Sequence, residues 1–285
     1  MKNSKNLRQN LNATHTCTHF FKNNWTLRKN VFSNNLNTHS KLNNIRYLPQ
    51  NKAAKMTSEK QKPSKNEPKV KITKNGPYVV SGGIPLCEQV ITTDSEGTPT
   101  QWTQRIKYTA KETCALCRCG HSENKPFCDG SHAKIGFDGT ETANQETYLN
   151  KPDEIAGPSL KLTDVQELCA SARFCHRAGG IWNLVPKSDD PEAKRIACEE
   201  ACDCPSGRLV VKDKKNNDLV EPKFEPSLSL VEDPAMGVSG PIWVRGRVPV
   251  ESAEGKTYKI RNRVTLCRCG KSQNKPFCDS SHYPE

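Results

Sequence analysis

The chain has 285 residues, 14 of them cysteine, and a formal net charge of +12. Only 34% of residues are hydrophobic and the mean hydropathy is −0.77, so the length divides into small domains whose thin cores need staples. The charge does not imply nucleic acid: residues 1–58 hold ten Lys or Arg and no Asp or Glu, and the remainder balances 33 basic against 31 acidic residues.

No basic stripe interleaved with aromatics runs through that remainder, which argues against nucleic-acid binding. No apolar run approaches the length of a membrane span and no signal-peptide core is visible, so no span is expected. Residues 1–67 read as a disordered basic tail. Their acid-free, hydroxyl-rich composition is that of a transit peptide, which points to a mitochondrion or related organelle, with a cytoplasmic setting as the alternative. Both settings keep thiols reduced, and cysteines there bind metal more often than they pair.

Residues 68–137 form a first module. NGPYVVSGGIPL, at 75–86, reads as a turn, a short strand, a glycine turn and an apolar pair. A longer loop is expected around Asp94–Gln101, then a strand on which Ile106, Tyr108 and Ala110 alternate. The module ends in LCRCGHSENKPFCDGSH at 116–132. A different segment follows at 138–236. Thr163–Gln166 has the pattern of a capping box opening a helix through Cys169. Asp190 and Pro191 suit the N-cap and N1 of a second helix, running to about Cys202 and broken by Pro205 and Gly207. Residues 221–234 read as a proline-containing linker. A second module spans 237–285: SGPIWVRGRVPV at 239–250 parallels 75–86, and Tyr258, Ile260, Asn262 and Val264 suggest a strand. Its LCRCGKSQNKPFCDSSH, at 266–282, matches 14 of the 17 positions of the first motif.

Each repeat offers C-x-C, eight residues, then C-x3-H: Cys117, Cys119, Cys128 and His132, and again Cys267, Cys269, Cys278 and His282. On an extended segment both thiols of C-x-C point the same way, and on a helix Cys128 and His132 sit one turn apart. The loop between, with its Asn-Lys-Pro turn, folds the two pairs together. Zinc and iron–sulfur clusters both accept such donors, and the spacing leaves the choice open. Cys17, Cys87 and Cys114 have no counterpart in the pattern.

The CDGSH run at 128–132, preceded by C-x-C and N-K-P-F, resembles the CDGSH iron–sulfur domain, or NEET, family. The resemblance implies a 2Fe–2S cluster per repeat, with Cys117 and Cys119 on an inner iron and Cys128 and His132 on an outer one. Cys267, Cys269, Cys278 and His282 repeat the scheme. It further implies an electron or cluster carrier whose partners are redox or cluster-acceptor proteins, and modules that pair within the chain as single-motif members pair between chains. Imidazole leaves a cluster less negative than thiolate does, and protons compete with iron for it. Asp129 and Asp279 are expected to cap a short helix or tune the site. Ser280 departs from Gly130; a positive φ there would cost up to about 1 kcal/mol. The second motif ends three residues from the chain end, so its cluster is expected to be the more exposed and labile.

In the middle segment, Cys169-x5-Cys175 followed 29 residues later by Cys204-Pro205 resembles divergent single-cluster ferredoxins. The resemblance implies Cys169, Cys175 and Cys204 as ligands, enough for a 3Fe–4S cluster. A 4Fe–4S cluster needs a fourth ligand, for which Cys202 and His176 are candidates. Cys198 reads as core, and a helical spacer with buried cysteines is the alternative for the whole segment. The expected class is α+β, with two small β-rich CDGSH modules flanking a ferredoxin-like segment. No dinucleotide fingerprint, phosphate loop or serine elbow marks an enzyme. A zinc-binding structural protein is the competing reading.

Overall fold

The computed structural model describes residues 67–109, 111–144 and 152–284, and the backbone of strand 45–48. The basic tail thus lies outside the described residues except at β1 (Ile45–Leu48), which pairs with 219–222. Cys17 and Ala110 also lie outside them.

The first module contributes β2 (Lys69–Ile72), β3 (Tyr78–Ser81), β4 (Leu86–Thr93), β5 (Pro99–Tyr108) and β6 (Thr113–Leu116), then a one-turn helix α1 (Ser131–Lys134). The middle segment holds β7 (Asp153–Ala156), β8 (Leu160–Asp164), the short α2 (Ile181–Leu184), α3 (Pro191–Asp203), β9 (Leu209–Asp213) and β10 (Leu219–Pro222). The second module adds β12 (Val238–Arg245), β13 (Val250–Glu251) and β14 (Arg263–Leu266), and β11 (Ser227–Asp233), which lies before residue 237, joins its sheet and is counted with it below.

Three sheets result. The order β13–β2–β3–β6 takes one edge strand, β13, from the second module, and β14–β12–β11–β4–β5 takes two, β4 and β5, from the first. β13 runs parallel to β2 through Val250↔Val70, and β4 runs parallel to β11 through Leu86↔Leu228. Here the exchange lets the two modules bury one continuous core, in which Val70, Ile72, Tyr78 and Val80 pack with Leu228, Leu230, Ile242 and Val244. Alternation places these side chains inward on β2 and β3. Val264 and Leu266 of the fully buried β14 join them.

The middle segment is an antiparallel sheet ordered β1–β10–β9–β8–β7, with α3 packed against it. Its own core joins Leu160, Leu162, Leu209 and Val211 to Ala197 and Ala201 of α3. The Asp190 carboxylate accepts from the N–H groups of Glu192 and Ala193, as an N-cap before Pro191 requires. A third cluster, Ile91, Ala172, Phe174, Val231 and Trp243, seals the middle segment onto the second module's sheet.

Four expectations are corrected. Thr163 and Asp164 close β8 and do not cap a helix; Thr163 pairs with Val210, the buried Asp164 carboxylate binds Arg208, and only a 3₁₀ turn follows at Gln166–Leu168. Of residues 94–101 only 94–98 are the tip of the β4–β5 hairpin, pinned by Asp94 Oδ1 accepting from the N–H groups of Glu96 and Thr98, and 99–101 already belong to β5. Beyond the tip, Trp102 donates to the Asp203 carbonyl, so the hairpin braces the middle segment. The supposed linker 221–234 contains β11, the shared strand between β4 and β12. The strand into the second motif starts only at Arg263: Tyr258 is buried in the core, whereas Ile260 is exposed, as is Ile106 in the first module.

Candidate metal centres

β6 and β14 deliver the two C-x-C segments. Cys117 N–H donates to the Pro126 carbonyl and Cys128 N–H to the Ala115 carbonyl, closing the eight-residue loop over the strand end; Cys267→Pro276 and Cys278→Thr265 repeat both bonds. The loops hold themselves identically, Ser122 Oγ donating to Phe127 O and Ser272 Oγ to Phe277 O. Asp129 and Asp279 pin loop to turn, accepting from the N–H groups of Glu123 and Ser131, and of Gln273 and Ser281. Hydrogen bonds from Ser131 and Glu123 hold the Asp129 carboxyl below the usual range. The helix α1 takes no side-chain cap, and Cys128 precedes it; the second copy forms only a turn there.

These loops bring the donors together as pairs. Cys117 Sγ lies 3.8 Å from Cys119 Sγ, and Cys128 Sγ lies 3.3 Å from His132 Nδ1. The corresponding distances for Cys267/Cys269 and Cys278/His282 are 3.6 and 3.5 Å. Among the described residues no three His, Cys, Asp or Glu side chains close on a point that could hold one metal ion. Cys267 is held down to about 6: the hydrogen bond from Cys269 leads, burial opposes it, and the N–H groups of Ser272 and Gly270 add to it. The shared bond and burial push Cys269 up, and burial pushes Cys278 well up.

The arginine inside each C-x-C was not singled out in the sequence, and it matters. Its side chain alternates away from the thiols. Arg118 is 2% exposed, donates to the Gly139 carbonyl at 2.5 Å and lies over the Tyr78 and Phe137 rings. Arg268 donates to Gly240 O and Val231 O and pairs with Glu232. The two C-x-C-G turns also abut. A Cβ on Gly120 would sit 2.7 Å from the Cys269 carbonyl, and one on Gly270 would sit 2.6 Å from that of Cys119, and both glycines have positive φ.

The sites differ in cover donor by donor: at the inner pair Cys119 is buried and Cys269 half-buried, whereas at the outer pair the order is the opposite, and both histidines are half-buried. Cys278 is buried and Cys128 only half-buried. Tyr78 Oη, where β12 has Ile242, donates to Cys267 O; Thr142 Oγ1 donates to Gln273 O. Burial, with Arg268 second, pushes the His282 imidazole down to about 4.

In the middle segment, Cys169, Cys175 and Cys204 line one small cavity with Phe174, Pro205 and Arg208. Burial pushes the Cys175 thiol up, and the neighbouring Cys204 and Cys169 thiols push it further. Arg208, paired with Asp164 at 2.5 and 2.8 Å, presents a buried cation beside Cys169. Neither proposed fourth ligand is on the cavity wall: Cys202 Sγ faces the Val220 carbonyl, and His176 packs on Trp182. Cys198 is core, as its spacing suggests.

Comparison with protein families finds one described as iron-binding zinc finger, CDGSH type, matching residues 75–133 and 239–283. A second, described as divergent 4Fe-4S mono-cluster, matches residues 155–214. No curated protein and no solved structure matches the chain.

Proposed function

From the premise that this is an iron–sulfur protein with tandem CDGSH regions around a divergent 4Fe–4S-type segment, we propose that it carries two 2Fe–2S clusters and a third centre, and serves as an electron or cluster carrier. Cys117, Cys119, Cys128 and His132 hold the first cluster, and Cys267, Cys269, Cys278 and His282 the second. The observation that carries this reading is the two-by-two grouping of donors, repeated in both copies. One tetrahedral zinc ion needs four donors around a point, whereas a two-iron cluster takes two donors at each end.

When bound, such a cluster stores one electron at a time. The chain's own groups set the terms. Backbone N–H groups of Gly270 and Ser272 point at the inner thiol, favouring the anionic sulfur that iron requires. Arg118 and Arg268 lock the turns from behind. The histidine replaces a thiolate on the outer side, which raises the potential and leaves that ligand open to protons.

Cys169, Cys175 and Cys204 hold the third centre. Three thiols suit a 3Fe–4S cluster, with Arg208 offsetting the thiolate charge. Electron or cluster acceptors are the partners this supports, and no substrate pocket enters the reading. The basic, acid-free leader supports a mitochondrial or related organelle setting. Nitrogen hyperfine coupling in the reduced protein tests the ligand set: Cys128→Ser and Cys278→Ser, each alone, are expected to remove about half of the histidine-coupled signal. Its absence from the intact protein would end the reading.

A further inference from the structure

Ser280 is the one departure of the second motif in its last five residues, and it stands where the middle segment touches that motif. Its φ is 76°, close to the 89° of Gly130, so the serine adopts a backbone that glycine tolerates better. Its hydroxyl donates to the Cys169 carbonyl at 2.7 Å and accepts from Ser171 Oγ at 2.7 Å. Two residues past Ser281, Tyr283 Oη reaches the Ser171 carbonyl at 3.1 Å and Asp233 Oδ2 at 2.9 Å. On the loop side, Asn274 Nδ2 donates to the Glu167 carbonyl. Among the described residues a Cβ at Gly130 meets nothing within 4 Å, so the first copy offers no counterpart to the Cys169 loop there.

We propose that Ser280 is a positioning residue: it fastens the Cys278–His282 turn to the Cys169 loop, so that iron retention by the second module depends on the middle segment. This rests on the ligand reading above. The turn holding the outer donors is the part that must open for iron to leave. In the first module that turn opens against solvent. In the second it must first break two hydroxyl bonds to a loop that itself carries a candidate ligand. The strained serine backbone is tolerated because those bonds offset it.

The test uses the full chain carrying His132→Cys, in which a thiolate replaces the first module's imidazole and only His282 gives a histidine-nitrogen hyperfine signal. Loss of that signal is followed after addition of excess iron chelator at fixed pH. Adding Ser280→Gly, which keeps the backbone preference, is expected to speed the loss roughly tenfold, the worth of one to two hydrogen bonds. In the otherwise unaltered chain, Gly130→Ser is expected not to slow the first module. Iron-free Ser280→Gly is expected to exchange its Ser281 and Tyr283 amides faster. An unchanged rate of signal loss with the signal present would overturn the proposal while leaving the ligand reading intact. Absence of the signal would instead overturn the ligand reading, and unchanged amide exchange would still count against the Ser280 clasp.

Discussion

Arg263 donates to both carboxylate oxygens of Glu221, at 2.9 and 2.8 Å, while its remaining amino group reaches the carbonyls of Ala201, Cys202 and Cys204. One side chain of the strand into the second motif therefore closes the C-terminal end of α3 and fixes the Cys204 turn. Replacing it by Met would leave Glu221 buried without its partner. The expected loss is about 3–5 kcal/mol, read from denaturant midpoints of the full chain. A loss under about 1 kcal/mol would mean the pair only decorates the interface.

The abutting turns give a second prediction. Gly120→Ala adds a methyl that must displace the Cys269 backbone, at a positive φ that disfavours alanine. Iron is expected to fall in both modules, although only one is altered, with stability down by about 2 kcal/mol or more. Loss confined to residues 75–133 would show that the modules load independently.

Acid should separate the two modules. Burial keeps His282 neutral down to about 4. In the iron-free chain the unfolded state takes up this proton near pH ~6.5, so stability falls as pH drops through that window. In the loaded protein the outer pair with the buried Cys278 is expected to keep its iron to lower pH than the pair with the half-buried Cys128. Visible absorbance is expected to bleach in steps, with the second module the more acid-resistant of the two. Cys278→Ser should leave the earlier bleaching step and Cys128→Ser the later one; the reverse order would contradict the assignment.

Glu200 gives the opposite slope. It lies buried on α3, its Oε1 accepting from the Ala178 N–H while Oε2 has no hydrogen-bond partner among the described residues, and burial pushes it up to about 7. The folded state thus holds a proton that the unfolded chain releases near the ordinary value. Its contribution to stability is present below pH ~4.5 and is lost as pH rises to about 7. Glu200→Gln should flatten urea midpoints across that range, and an unchanged slope would show that the carboxyl is ionised throughout.

The ligand positions were legible because the chemistry demands them twice: Cys117 and Cys267 sit in near-identical strings, and a repeat is its own control. The helix at 191–203 was legible from Asp190-Pro191, a local signal obeyed locally. What escaped were features decided by distant partners. Asp164 looked like part of a capping box until Arg208, 44 residues away, claimed its carboxylate. β11 carries Pro226 just before it and looked like linker, yet it is paired on both sides by strands from two modules. The outer turn of the second site seemed exposed because little chain follows it; residues 110 or so positions earlier cover that turn, through Cys169 and Ser171. Ser280 was visible as a departure, but its reason lies across the interface.

The most direct measurement is the visible spectrum of the purified full chain with iron, zinc and acid-labile sulfide counted in the same sample. Charge-transfer bands are expected, with four irons assigned to the two modules and about three more that disappear when Cys169, Cys175 and Cys204 are all changed to Ser. A colourless chain holding zinc, even when prepared without oxygen, would contradict it.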